Sequence, residues 1–221
     1  MKTILFPKIF QPFLCKELIR LGKNNDGGYI VNQIDVLNAT QLLSFGIGED
    51  ITFETDFYKM NPCSILSFDS NDNTKIHSNF FTDNKKHIRK NLNDGVMIDD
   101  IDFGEKTFIK CDIDGEEYSI LSNIIQRTKK IIGMVFEFHD VHLHKNFNDV
   151  TNFISKIDQK LIHVHINNYT YLKTENGIIP TVIELSFSSS NNLEYTDTIT
   201  LPNVLDMPNN PLEEDFEIIY K

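Results

Sequence analysis

At 221 residues, with 40% hydrophobic and 24% charged side chains, the chain has the size and composition of one substantial folded domain. A formal net charge of −11 leaves no basic face to neutralise a phosphate backbone, which excludes nucleic acid as an expected partner. Cys15, Cys63 and Cys111 are an odd count at wide spacings, which fits neither a disulfide framework nor a zinc pattern, so they read as reduced residues of a cytoplasmic protein.

The opening stretch MKTILFPKIFQPFLCKELIR joins a lysine to an apolar cluster, but Pro7, Lys8, Gln11 and Pro12 interrupt it before a signal-peptide core can form. No apolar run approaches the ~20 residues of a membrane-spanning helix. Residues 1–39 are therefore read as a cap or lid segment, 40–200 as the core and 201–221 as a surface wrap, all in a single domain 1–221.

From Thr40 the chain alternates apolar runs with helix-patterned stretches, the signature of parallel βαβ units. The expected strands are QLLSFGI, SILSFD, KIHSNFF, TFIKCDI, KIIGMVFEF, LIHVHI and TVIELSF; several are apolar on consecutive positions, as strands covered on both faces are. Apolar residues recur at helical spacing in ITFETDFYKM, DNKKHIRKNL, EEYSILSNIIQRT and NFNDVTNFISKID. After the last strand, SSSNNLEYTDTITLP predicts an antiparallel hairpin at the sheet edge, and the tail rich in Pro and Asn an irregular wrap.

Gly46 and Gly48 follow the first core strand and precede a helix, where a Gly-x-Gly lets the backbone turn tightly and approach a ligand. Alone it is an ordinary strand-to-helix turn. Some twenty residues on, Asp69 ends the next strand, where a carboxylate can accept hydrogen bonds from ribose hydroxyls, although a helix N-cap is the plain alternative. Together they indicate a nucleoside-bearing cofactor across the carboxyl ends of the strands. The third glycine of a dinucleotide fingerprint is missing, and Glu49 and Asp50 would repel a pyrophosphate, so an adenosyl sulfonium fits better than NAD.

With those residues in view, IKCDIDGEEYSIL (Ile109 to Leu121) resembles the Lys-x-Asp-Ile-Glu-Gly-x-Glu segment of the FkbM-type S-adenosylmethionine-dependent methyltransferases. GKNNDGGYIV, SFGIGEDITFE, VFEFHD, HVHINNY and VIELSF match in order, so the resemblance runs from about Leu21 to the end. Two departures are Asp114, where the family usually has Glu, and the compact LNDGVMIDDIDFGEK before the acidic segment. The resemblance implies a Rossmann-like class I methyltransferase fold: α/β, three layers, a mostly parallel seven-stranded sheet with an antiparallel edge hairpin. It also implies methyl transfer to an oxygen of a carbohydrate or related small molecule. Carried over by position, Gly46 and Gly48 would flank S-adenosylmethionine, Asp69 would hold its ribose, and Asp26, Gly27, Gly28 and Tyr29 would form a lid over its methionine end; a simple turn is the alternative for that loop.

Four carboxylates crowd the end of the TFIKCDI strand. Asp112 can face the amino group and sulfonium of the cofactor, or a metal, and Asp114 the substrate, while Glu116 and Glu117 sit in a first helical turn where the dipole favours negative charge. Five histidines, His139, His142, His144, His163 and His165, fall near the ends of two strands. A neutral imidazole suits proton removal from an attacking hydroxyl, so His139 is the expected base, with Asp114 or His165 next. The bland reading makes His163 and His165 satisfied core residues. Asp112, Glu137, His139 and Asp140 form an oxygen-rich set that could hold Mg²⁺. The alternative to an enzyme is a methyltransferase-like module that binds a glycan or protein without turnover.

Overall fold

A computed structural model describes residues 2–71, 77–89, 101–175, 177–196, 199 and 201–221. In chain order it has β1 (Lys2–Phe6), β2 (Leu18–Gly22), β3 (Gly28–Asn32), α1 (Gln33–Asn38), β4 (Gln41–Phe45), α2 (Thr52–Met60), β5 (Ser64–Asp69) and β6 (Lys85–Arg89). There follow β7 (Thr107–Cys111), α3 (Leu121–Gln126), β8 (Ile131–Phe138), α4 (His144–Lys156), β9 (Lys160–Ile166), β10 (Tyr171–Thr174), β11 (Gly177–Pro180), β12 (Ile183–Ser188) and β13 (Phe216–Tyr220).

The central sheet has seven strands in the order β6-β5-β4-β7-β8-β12-β9. All pairs from β6 to β8 are parallel, and β12 is antiparallel to both of its neighbours. Alternation along each strand sends neighbouring side chains to opposite faces. On β8, Val135 packs under α2 with Phe53 and Phe57, whereas Met134, Phe136 and Phe138 pack under α4 with Val150 and Phe153. Two apolar clusters, one per face, make the three-layer α/β/α arrangement. The stacked rings of Phe45 and Phe68, with centroids 5.0 Å apart, tie the ends of β4 and β5 together beneath the mouth of the sheet, and Phe136 stacks on Phe138 along β8 at 5.1 Å.

Three expectations change. DNKKHIRKNL, read as a helix, supplies the edge strand β6 over Lys85–Arg89. Its basic residues Lys85, Lys86 and Arg89 suit an exposed sheet edge, and pairing with β5 overrides a weak helical periodicity; residues 90–92 of that stretch lie outside the described residues. In KIHSNFF, read as a strand, residues 75 and 76 lie outside the described residues and 77–80 form a turn. Of the hairpin expected after TVIELSF, residues 197, 198 and 200 lie outside the described residues; β12 itself is buried at every position and lies between β8 and the edge strand β9, antiparallel to both, and Glu194 makes an isolated bridge with Leu14. A strand buried on both faces gains more from an interior slot than from an edge.

Outside this sheet, β2 and β3 form an antiparallel hairpin, β10 and β11 another, and β1 pairs in parallel with β13. Among the described residues no helix is long and apolar enough to cross a membrane.

Candidate active site

Register fixes the site. Phe45 lies opposite Phe68 and Cys111, and Cys111 opposite Phe136, so Gly46, Asp69, Asp112 and Glu137 follow at one level across four parallel strands. They open into a cleft of about 640 Å³ at the carboxyl ends of those strands, the usual place for a ligand in an open α/β sheet. Asp26, Gly27, Tyr29, Gly48, Asp114 and His139 line it as well.

The Gly46 turn must be glycine. Its φ is 76°, and a β-carbon there would fall 1.6 Å from the Asp112 carbonyl oxygen. Gly48, with φ 48°, has nothing within 4 Å of where its β-carbon would point, so the backbone there is bare toward the cleft. Asp69 holds this loop: its Oδ2 accepts from the Ile47 and Gly48 amides at 3.1 and 2.9 Å, and its Oδ1 from the Asn71 amide at 2.8 Å. A carboxylate has about four acceptor positions, so Asp69 keeps capacity for one hydroxyl, and capture of two requires a backbone bond to yield.

The loop 23–28 meets the glycine turn. Lys23 Nζ lies 3.1 Å from Asp50 Oδ2, and Gly27, at φ 83°, comes so close to that carboxylate that a β-carbon would sit 2.8 Å from it. Gly28 does not line the cleft; it closes the β2–β3 hairpin, where a β-carbon would overlap the Lys23 carbonyl at 1.9 Å.

At the floor, the Tyr29 hydroxyl lies 2.9 Å from Asp112 Oδ2 and 3.0 Å from Glu137 Oε2. One phenolic proton cannot serve two carboxylates. Burial, then the charges of Asp112 and Glu184, raise Glu137 well above the carboxylate range, which favours a second proton in this bridge. Burial and Asp112 likewise keep Tyr29 a phenol. Lys110 is buried beneath, donating to the Gly46 carbonyl with its Nζ 3.6 Å from Asp112 Oδ2. Burial opposes its charge, but Asp112 and Glu54 outweigh burial and hold the ammonium. Glu54, buried on α2, accepts from the Ser44 hydroxyl through Oε1, and its Oε2 has no hydrogen-bond partner among the described residues.

His139 is gripped by Glu117, whose side chain is 0% exposed: Nδ1 lies 3.0 Å from Glu117 Oε1, which also accepts from the amides of Ile113 and Gly115. Nε2 faces Asp114 Oδ1 and Glu137 Oε1, each at 3.9 Å. Burial alone would lower the histidine, but the Glu117 hydrogen bond and charge, then Glu137 and Asp112, carry it up to about 9. At neutral pH the ring is an imidazolium, and Asp114, whose side chain is fully exposed at φ 52°, is the open carboxylate beside it.

Asp112, Asp114 and His139 each offer one ligand atom, all within 4.8 Å of one another. Asp140 does not join them; it faces His142, 3.9 Å away, outside the cleft. His165 is also elsewhere: it is 4% exposed and sits between Asp206 and Asp215, at 3.3 Å from each, so the core reading describes it and His163.

Sequence reasoning passed over Lys110, Glu54, Asn167 and the role of Glu117. Lys110 had a signal, a lone lysine inside the apolar run TFIKC. Glu54 sits with Phe53 and Phe57 on the buried face of α2. Asn167, which donates to Glu137 Oε1 at 2.9 Å, had none.

No family model matches the chain, and no curated protein matches it. Among solved structures it is similar to a METTL16 methyltransferase domain, at 11% identity over 70% of this chain and 75% of that one, TM-score 0.44. It is also similar to precorrin-6y C5,15-methyltransferase from Geobacter metallireducens, at 13% identity over 72% and 86%, TM-score 0.43. A third is TrmK of M. capricolum in complex with S-adenosylhomocysteine, at 12% identity over 76% and 70%, TM-score 0.43.

Proposed function

We propose that this protein is an S-adenosylmethionine-dependent methyltransferase that methylates a hydroxyl of a carbohydrate or related small molecule. The observation that carries the reading is the convergence of Gly46, Gly48, Asp69 and Asp112 on one cleft. The residues fit the donor: a bare glycine turn for the adenosine, Asp69 for the ribose, and Asp112 with the lid loop for the cationic methionine end. When bound, the donor supplies an electrophilic methyl group.

The chain's own part is orientation and proton handling. Holding an acceptor oxygen at ~3–3.5 Å from the reacting carbon supplies much of the acceleration. An attacking hydroxyl must lose its proton. Because His139 is an imidazolium in the resting protein, Asp114 takes that proton below pH 9, and His139 shares the task above it. The lining carboxylates disfavour a phosphorylated acceptor, since Lys23 and Lys110 already face Asp50 and Asp112. A reducing, cytoplasmic setting fits the free Cys15, Cys63 and Cys111.

The test is isothermal titration with S-adenosylmethionine and S-adenosylhomocysteine, followed by mass-spectrometric screening of glycan and sugar acceptors with labelled donor. Absence of binding by both cofactor forms would leave the non-catalytic binding module in its place.

A second reading is favoured by the Asp112, Asp114 and His139 set, whose atoms can close on a hard divalent ion such as Mg²⁺. Glu117 would orient the histidine from behind, as outer carboxylates do for metal-bound imidazoles. Such an ion would lower the pKa of an acceptor hydroxyl. Turnover that survives in EDTA after gel filtration rules this reading out.

A further inference from the structure

The segment after β12 returns across the β9 edge and is fixed there by buried charge. The Asp206 side chain, 1% exposed, lies 3.1 Å from His163 Nε2 and 3.3 Å from His165 Nδ1, and Asp215 Oδ1 lies 3.3 Å from His165 Nε2. Three residues past Asp206, Asn209 is 2% exposed. Its side-chain amide donates to Glu184 Oε1 on β12 at 2.8 Å and to Asp26 Oδ1 at 3.2 Å. Asn25 Nδ2 makes a parallel link to the Pro208 carbonyl at 2.7 Å.

Asp26 lines the cleft; Asn209 and Glu184 do not. The Asn209 amide group has two N–H donors and here bridges two carboxylates. With the amide removed, the Asp26 and Glu184 carboxylates would face one another with no donor between them, and like charges at such separations repel. On the other side of the loop the ties are local: Arg20 donates to the carbonyls of Lys23 at 3.0 Å and Asn25 at 2.7 Å, and the Gly28 amide to the Asn25 carbonyl at 3.2 Å, bonds that set the turn without touching the Asp26 side chain.

We propose that Asn209 is a positioning residue that fixes Asp26, and through it the loop 23–28, over the donor end of the cleft. The C-terminal segment thereby closes the site from outside, anchored by the histidine and aspartate cluster. The inference rests on the donor reading above.

The experiment is a double-mutant cycle on the full chain, with Asn209→Ala, Asp26→Ala and both together, read by calorimetric titration of S-adenosylhomocysteine. Hydrogen exchange of the unliganded proteins is followed in parallel. Asn209→Ala is expected to weaken binding about tenfold, one charge-assisted hydrogen bond's worth. The double variant should bind no more weakly than Asp26→Ala, because Asn209 acts only through Asp26. Amides 24–28 should exchange faster in Asn209→Ala while those of β7 do not change. Fully additive losses, or unchanged exchange in 24–28, overturn the proposal. Wild-type protein that binds no S-adenosylhomocysteine overturns the donor reading instead, and the exchange result still reports whether Asn209 orders the loop. If Asn209→Ala fails to fold, Asn25→Ala, which removes only the parallel link, is expected to raise exchange in the same five amides, and unchanged exchange there overturns the proposal.

Discussion

Under the proposed donor reading, cofactor affinity turns on Asp69, and its present bonds give the reason. By holding the Ile47 and Gly48 amides it shapes the loop as well as offering an acceptor to a ribose hydroxyl. Asp69→Ala should therefore weaken S-adenosylmethionine by about 10- to 100-fold, the loss of one or two hydrogen bonds to a charged group, as measured by calorimetric titration. An unchanged dissociation constant would remove the ribose from this carboxylate. Glu117 presents a different case. The His139 pKa, raised to about 9, gives stability that is complete below the unfolded value near 6.5 and is lost as pH rises through 9. Glu117→Gln takes away the first of the raising partners, so an NMR titration of the imidazole should move toward its ordinary range and the alkaline fall in stability should shrink. Sequence spacing assigned Glu117 to a helix dipole because its distance to a histidine 22 residues later is set by the pairing of β7 with β8, which periodicity does not encode.

Among elements, the turn between β4 and α2 separates two kinds of glycine. Gly46→Ala must accommodate both a positive φ and a β-carbon inside the Asp112 carbonyl, so urea unfolding should show a loss of about 3 kcal/mol or more. Gly48→Ala meets no atom and should cost only about 1 kcal/mol, the left-handed conformation alone. The ionic anchor on β9 also has a pH signature. Asp206 is held well below its ordinary range by His163 and His165 against the pull of burial, and its contribution is lost only as pH falls far below 3.8. His165 is raised well above 6.5 by Asp206 and Asp215 despite burial, so its contribution wanes as pH climbs from 6.5 through that raised value. Exchange protection of residues 203–215 should accordingly peak between about pH 4 and 6.5. β4, β5, β7, β8 and β9 were legible because each is a short apolar run with a polar end. β6 was not, since KKHIR carries no apolar run and becomes a strand only because β5 offers an open edge.

For the molecule as a whole, a ligand seated on four strand tips, at a hundred times its dissociation constant, adds ~2.7 kcal/mol, or roughly 5–10 °C in Tm for a chain of this size. Differential scanning fluorimetry with S-adenosylmethionine checks that shift. The row Gly46, Asp69, Asp112 was readable because every member is a strand end followed by a turn, and parallel strands of like length place such ends together. Tyr29 was legible as a neighbour of the site but not as the bridge between Asp112 and Glu137 at its floor, and what the sequence hid altogether is Asn209 from the tail, 183 residues from the Asp26 that it holds.

The placement of β12 between β8 and β9 bears on how the chain is made. Because, among the described residues, β12 is the one strand of the sheet that pairs with β9, a nascent polypeptide released only as far as residue 166 carries a strand without its sheet neighbour. Vectorial synthesis must therefore leave Lys160–Ile166 unsheltered until Ser188 has emerged, and ribosome-arrested intermediates of those lengths should be the ones that proteases cut and chaperones hold.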